Sequence, residues 1–219
     1  MSSLVKLSPS AFHSISLHYS IDIAKEIRGI LLGSITNDDV FVISSIPLCS
    51  DMNSSEISVE AKCKELSRII GIPLKVVGWY HSHNELGLQL TEEDIEFHVG
   101  FQAKFPNSIA FLALFGKNTA DSKTKTTSFT AFRCGLNDQP VQLQCVVRPL
   151  LPNALAEKFY TVSSISFDEV LQIVREKLSS LKPGEVRELD FGFLQPYLNS
   201  VELMIKSAKY LGPKSGTEY

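Results

Sequence analysis

Apolar positions along the first 150 residues alternate between two rhythms. Ser8-Pro9 offers a side-chain cap followed by a proline suited to the first helical position. Phe12, Ile15, Tyr19 and Ile23 then recur at helical spacing, so this stretch predicts a helix. "EIRGILLGSI" (26–35) and "DVFVISSIPL" (39–48) are rich in β-branched residues, and the turn-forming "TNDD" between them predicts a hairpin. After the polar "SDMNSSE" (50–56), Val59, Cys63, Leu66 and Ile70 mark a second amphipathic helix, ended by Gly71 and Pro73. "LKVVGWYHSH" (74–83) predicts a buried strand and "EEDIEFHVGFQAKF" (92–105) a helix stopped by Pro106. "SIAFLALFG" (108–116) predicts an inner strand and "KNTADSKTKTT" (117–127) a solvated loop. Val141, Leu143, Cys145 and Val147 alternate with polar neighbours, as in a half-buried strand.

The rhythm changes near Pro149 to Pro152. Ser166 and Glu169 have the spacing of a capping box, with Ile165 and Val170 able to form the accompanying staple. Leu171, Val174, Leu178 and Leu181 then mark a helix ending at Pro183-Gly184, and Leu198, Val201, Ile205 and Ala208 mark another from about Pro196 to Tyr210. The polar tail "GPKSGTEY" is expected to be disordered. The expected organisation is a mixed helix-and-strand unit over 1–150 and a helical extension over 151–219.

Composition narrows the function classes. A chain of 219 residues suits one generous domain, or one domain with an extension. The apolar share of 44 % and charged share of 21 % are ordinary for a globular protein. A net charge of −3 argues against a nucleic-acid partner, which calls for a basic face. No apolar run approaches membrane-spanning length, and "MSSLVKLSPSAF" lacks a signal-peptide pattern. The expected setting is therefore cytoplasmic, or also nuclear in a eukaryote, with no membrane partner. Cys49, Cys63, Cys134 and Cys145 show no C-x-x-C spacing and read as free thiols.

The chemistry concentrates in "GWYHSHNELGLQLTEED" (78–94). Residues at i and i+2 of a strand share a face, so His81 and His83 aim the same way. Asp94 falls in the first turn of the following helix. Two imidazoles and one carboxylate form a three-ligand zinc set with a fourth tetrahedral position left for water. Ligand charges of −1 against the ion's +2 would acidify that water. A plainer account also exists: Thr91 is a good N-cap with acids favoured behind it, and His-x-His occurs on ordinary sheets. Trp79 and Tyr80 suit a core, Ser82 points to the opposite face from the histidines, and His98 is expected half-exposed on the face of Asp94.

His81-Ser82-His83, seven residues, Thr91, two residues and Asp94 resemble the signature of the MPN-plus, or JAMM, metalloproteases, and "EIRGILLG" resembles the family's glutamate strand. The resemblance covers about residues 1–150. It implies an α/β MPN fold, a mixed β-sheet flanked by helices, with a C-terminal helical extension. It also implies a zinc isopeptidase acting on ubiquitin or ubiquitin-like conjugates. On that likeness His81, His83 and Asp94 hold zinc, Glu26 is general base and then acid, and Thr91 hydrogen-bonds the tetrahedral intermediate. The extension would join another MPN chain or a proteasome-like complex.

Two positions depart from the family: Thr91 stands where serine is usual, and Asn84 where proline often follows the second histidine. Three other classes compete. A non-catalytic MPN scaffold typically lacks metal ligands that this chain has. Other His-x-His hydrolases need histidines downstream, and none follows His98. A zinc deaminase needs His-x-Glu and Cys-x-x-C.

Overall fold

The computed structural model describes residues 3–21, 26–48, 55–83, 87–115, 127–148 and 150. Within them the order is β1 (Leu4–Leu7), α1 (Pro9–Ile21), β2 (Arg28–Thr36), β3 (Asp39–Leu48), α2 (Ser55–Ile70), β4 (Lys75–Ser82), α3 (Glu92–Lys104), β5 (Ile109–Phe115), β6 (Thr127–Cys134) and β7 (Pro140–Val147), with a short 3-10 turn at Leu136–Asp138. Local chemistry accounts for several boundaries. Ser8 Oγ accepts from the Ala11 N–H at 3.1 Å and donates to the Ile43 carbonyl at 2.8 Å, which caps α1 and ties it to β3. Asn37 and Asp38 take left-handed φ values of 50° and 68°, which suits the two-residue turn of the β2–β3 hairpin. Gly71, at φ 76°, ends α2, and its N–H bonds the Ser67 carbonyl at 2.9 Å.

The strands pair in the order β1-β3-β2-β4-β5-β6-β7, and a parallel β1–β7 ladder closes them into a barrel. The α/β character with a mixed sheet agrees with the sequence pattern. The expected flanked sheet, however, is a closed one. Closure depends on β1, four residues too few to show a rhythm, and on β6, whose alternating Phe129 and Ala131 follow directly on the expected loop. Residues 151–219, with their two expected helices, capping box and tail, lie outside the described residues, as do Asn84 and most of the 117–127 loop.

Two apolar clusters hold the domain together. One packs Ala11, Ile15 and Tyr19 of α1 against strand residues including Leu31, Val42, Tyr80 and Phe111. The other packs Leu66 and Ile70 of α2 against Ile30, Leu32, Trp79 and Leu112, with Phe101 of α3 at its margin. Neighbouring Trp79 and Tyr80 thus enter different clusters, as strand alternation requires. A bulge precedes them: Leu31 faces Gly78 and Leu32 faces Val76, leaving Val77 unopposed. β4 lies between β2 and β5, and a Cβ on Gly78 would fall on the Ile109 carbonyl oxygen, so only glycine permits that approach. Among the described residues, no helix is long and apolar enough to cross a membrane.

Candidate metal centre

β4 delivers His81 near its end, and His83 follows just past it, its N–H bonded to the Ala113 carbonyl at 3.3 Å. α3 delivers Asp94 through a capping box. The Asp94 N–H donates to Thr91 Oγ1 at 3.1 Å, and the Thr91 N–H donates back to Asp94 Oδ2 at 3.1 Å. The plain capping account and the ligand account are therefore compatible, because the same bonds that start the helix aim its third residue at the histidines. His81, His83 and Asp94 are all buried, and one ligand atom from each lies within 4.8 Å of the others.

Asp94 is the hub. Its Oδ1 lies 2.9 Å from His81 Nδ1 and its Oδ2 lies 3.0 Å from His83 Nε2, while the Thr91 hydroxyl donates to Oδ2 at 2.8 Å. Burial pushes the Asp94 carboxyl up, but hydrogen bonds from His81, His83 and Thr91 outweigh it and hold the group well below the usual carboxylate range. His83 faces an acceptor on each side, Asp94 at Nε2 and the Gly87 carbonyl at 3.2 Å from Nδ1. The bond to Asp94 first, against the effect of burial, raises its pKa.

These donors suit a divalent cation. The Gly87 carbonyl, 3.2 Å from His83 Nδ1, can only accept and so favours the proton on that nitrogen, which leaves Nε2, on the Asp94 side, as the one that would face an ion. Two imidazole nitrogens and a carboxylate oxygen are the borderline set that zinc accepts.

Glu26 sits two residues ahead of β2, exposed, with Oε2 3.2 Å from His81 Nε2. Ser82 fixes this approach. Its Oγ accepts from the Ile27 N–H at 2.9 Å, and its own N–H bonds the Ile27 carbonyl at 3.0 Å. Ser82 thus anchors the segment bearing Glu26 from the face opposite the histidines.

Two residues carry more than the sequence pattern suggests. Arg28 lies directly opposite His81 in the β2–β4 ladder, a pairing that no local signal reveals. His98 is fully buried rather than half-exposed, because α3 turns the face it shares with Asp94 onto β4, where Trp79 Nε1–H donates to His98 Nδ1 at 3.1 Å. Its spacing of four from Asp94 was the available clue. Trp79 packs in turn at a ring-centroid distance of 6.0 Å from His81.

Burial lowers the pKa of His98 to about 4, with Arg133 adding to the effect, and burial alone does the same to His18, which contacts the Tyr80 hydroxyl at 2.7 Å. Both are depressed below the unfolded histidine value, so the unfolded chain takes up their protons first. Stability is then complete above pH ~6.5 and falls as pH drops from there toward ~4, by about 1.4 kcal/mol per pH unit for each histidine at mid-window. The raised His83 adds no slope of its own at the acid end of that window, where it is protonated in both states. Urea denaturation of chelator-treated protein between pH 6 and 4 is expected to show this loss. His98→Asn, which retains an acceptor for Trp79, is expected to reduce the slope by one histidine's share, with His18 and the likewise burial-lowered His13 supplying the rest, and an unchanged slope would remove His98 from the account.

Residues 2–107 match the family described as JAB1/Mov34/MPN/PAD-1 ubiquitin protease, a segment that contains Glu26, Arg28, His81, His83, Thr91 and Asp94. The chain is 28 % identical over 159 residues to Uncharacterized protein F37A4.5 of Caenorhabditis elegans, covering 70 % of this chain and 47 % of that protein. It is 28 % identical over 112 residues to the 26S proteasome non-ATPase regulatory subunit 14 of Drosophila melanogaster, covering 48 % and 36 %. It is 24 % identical over 162 residues to the Lys-63-specific deubiquitinase BRCC36 of Xenopus tropicalis, covering 67 % and 61 %. The chain therefore spans between about a third and three-fifths of the length of these relatives.

Proposed function

We propose, from the premise that this chain resembles the MPN-plus/JAMM metalloproteases, that it is a zinc-dependent isopeptidase. It would hydrolyse the bond between the C-terminus of ubiquitin, or a ubiquitin-like modifier, and a lysine. The observation that carries this reading is the convergence of three buried donor atoms within 4.8 Å, with the Glu26 carboxylate 3.2 Å from one of the ligand imidazoles. The deubiquitinase name of one relative and the proteasome-subunit name of another support the substrate class.

His81, His83 and Asp94 would hold the ion, which when bound supplies a Lewis acid that polarises the scissile carbonyl and acidifies water. The protein's own groups do the rest. Glu26, exposed beside His81, takes a proton from the attacking water and passes it to the leaving lysine nitrogen. Thr91 keeps Asp94 ionised and aimed, and its single hydroxyl proton, which goes to Asp94 Oδ2 here, would have to turn from that oxygen to serve the one on which negative charge develops. Ser82 holds Glu26's segment in register, and Trp79, anchored by His98, walls His81. We assign catalysis to residues 1–150 and pairing with another MPN chain, or docking in a proteasome-like complex, to 151–219.

The test is incubation of the purified chain with a panel of ubiquitin and ubiquitin-like conjugates, with and without a chelator. Cleavage abolished by the chelator and restored by zinc is expected. A zinc-loaded protein that cleaves no conjugate but pairs with another MPN chain would select the scaffold reading instead.

A further inference from the structure

We propose, resting on the isopeptidase reading, that Arg28 is a product-binding residue whose guanidinium holds the carboxylate released from the modifier. Hydrolysis joins the oxygen of water to the carbonyl carbon, breaks the C–N bond and sends both protons of that water to the nitrogen. It leaves a carboxylate at the site and an ammonium on the lysine.

Arg28 is placed to meet that carboxylate. It is the direct cross-strand neighbour of His81, and directly opposed residues of an antiparallel pair share a face. Its Nε lies 3.5 Å from His81 Nε2, on the side where Glu26 approaches the same nitrogen at 3.2 Å. The other end of the guanidinium faces Glu93 Oε1 at 3.6 Å. The Arg28 side chain is 41 % exposed and Glu93 81 % exposed, so this pair is open to water and easily exchanged. A carboxylate arriving at the site can take the place of Glu93 on a planar fork whose geometry suits it.

A purely structural Arg28–Glu93 pair would hold β2 to the start of α3. The ladder register accounts for the position of Arg28 beside His81, and the charge it brings there, next to a cation site, is what suits it to an incoming anion. The same charge repels the lysine ammonium, so the two products are treated differently: the amine is expelled while the carboxylate is held.

Full-length zinc-loaded protein would be titrated with ubiquitin bearing its free C-terminal carboxylate and with ubiquitin whose C-terminus is amidated. The wild type is expected to bind the free acid about tenfold more tightly, as a charge-assisted pair implies. In Arg28→Met the preference for the acid is expected to shrink several-fold, the ion alone supplying what remains, with zinc content and melting temperature unchanged. Glu93→Gln, which frees the guanidinium, is expected to widen the preference. Equal binding of the two forms by the wild type, binding of neither, or an undiminished preference in Arg28→Met overturns the proposal. Conjugate cleavage alongside any of those results leaves the isopeptidase reading standing. An Arg28-dependent preference without cleavage removes the isopeptidase and keeps a carboxylate site.

Discussion

Replacing His81 and His83 together by alanine is expected to lower zinc content from about one ion per chain to near zero, since three protein ligands complete one tetrahedral site with water. The substitution also strips Asp94 of two of its hydrogen-bond partners, leaving a buried carboxylate that only Thr91 satisfies. Lost stability is therefore expected even without metal, on the order of 3 kcal/mol, as when one side of a buried charge pair is removed. The two effects separate on chelation. A metal bound only to the folded form stabilises by about 4 kcal/mol at a thousandfold excess over its dissociation constant. Chelator should lower the melting temperature of the wild type and leave that of the double variant unmoved. Elemental analysis showing unchanged zinc in the variant would eliminate this centre.

The parts of this centre legible in the sequence are those set by local geometry. His81 and His83 share a face because strand side chains alternate, and Asp94 sits at the third helical position because Thr91 caps α3. What was illegible depends on residues far apart along the chain. The separation of 53 residues between Arg28 and His81 is bridged only by the β2–β4 ladder, and the bulge at Val77 resets which residues of β4 face which side. The separation of 55 between Ile27 and Ser82 hides the anchor that brings Glu26 to the site. His98 shows the same limit within one helix. Its spacing from Asp94 is visible, but its burial follows from Trp79 on another element. The barrel's closure is the extreme case, since β1 carries only four residues and acquires meaning only from the two strands it joins.

Glu26→Gln tests the chemistry without disturbing the centre. Glutamine preserves the size and most hydrogen bonds of the side chain but cannot take up a proton. Glu26 is exposed, lies outside β2 and is not among the three clustered donors, so the variant is expected to fold, keep its zinc and bind conjugate. Turnover is expected to fall by at least about a hundredfold, the usual contribution of general acid–base catalysis. Thr91 supplies the contrast, because its hydroxyl serves both the helix start and Asp94. Thr91→Ser keeps the hydroxyl and should remain active. Thr91→Val should lose turnover and also about 1 kcal/mol of stability through the missing cap. A loss of turnover at constant melting temperature and zinc content thus marks Glu26, whereas a loss coupled to stability marks Thr91. The measurements are melting temperature, zinc content and isopeptide cleavage on all three variants. Full cleavage by Glu26→Gln would remove the proton-transfer role from this carboxylate, even with zinc in place and the barrel intact.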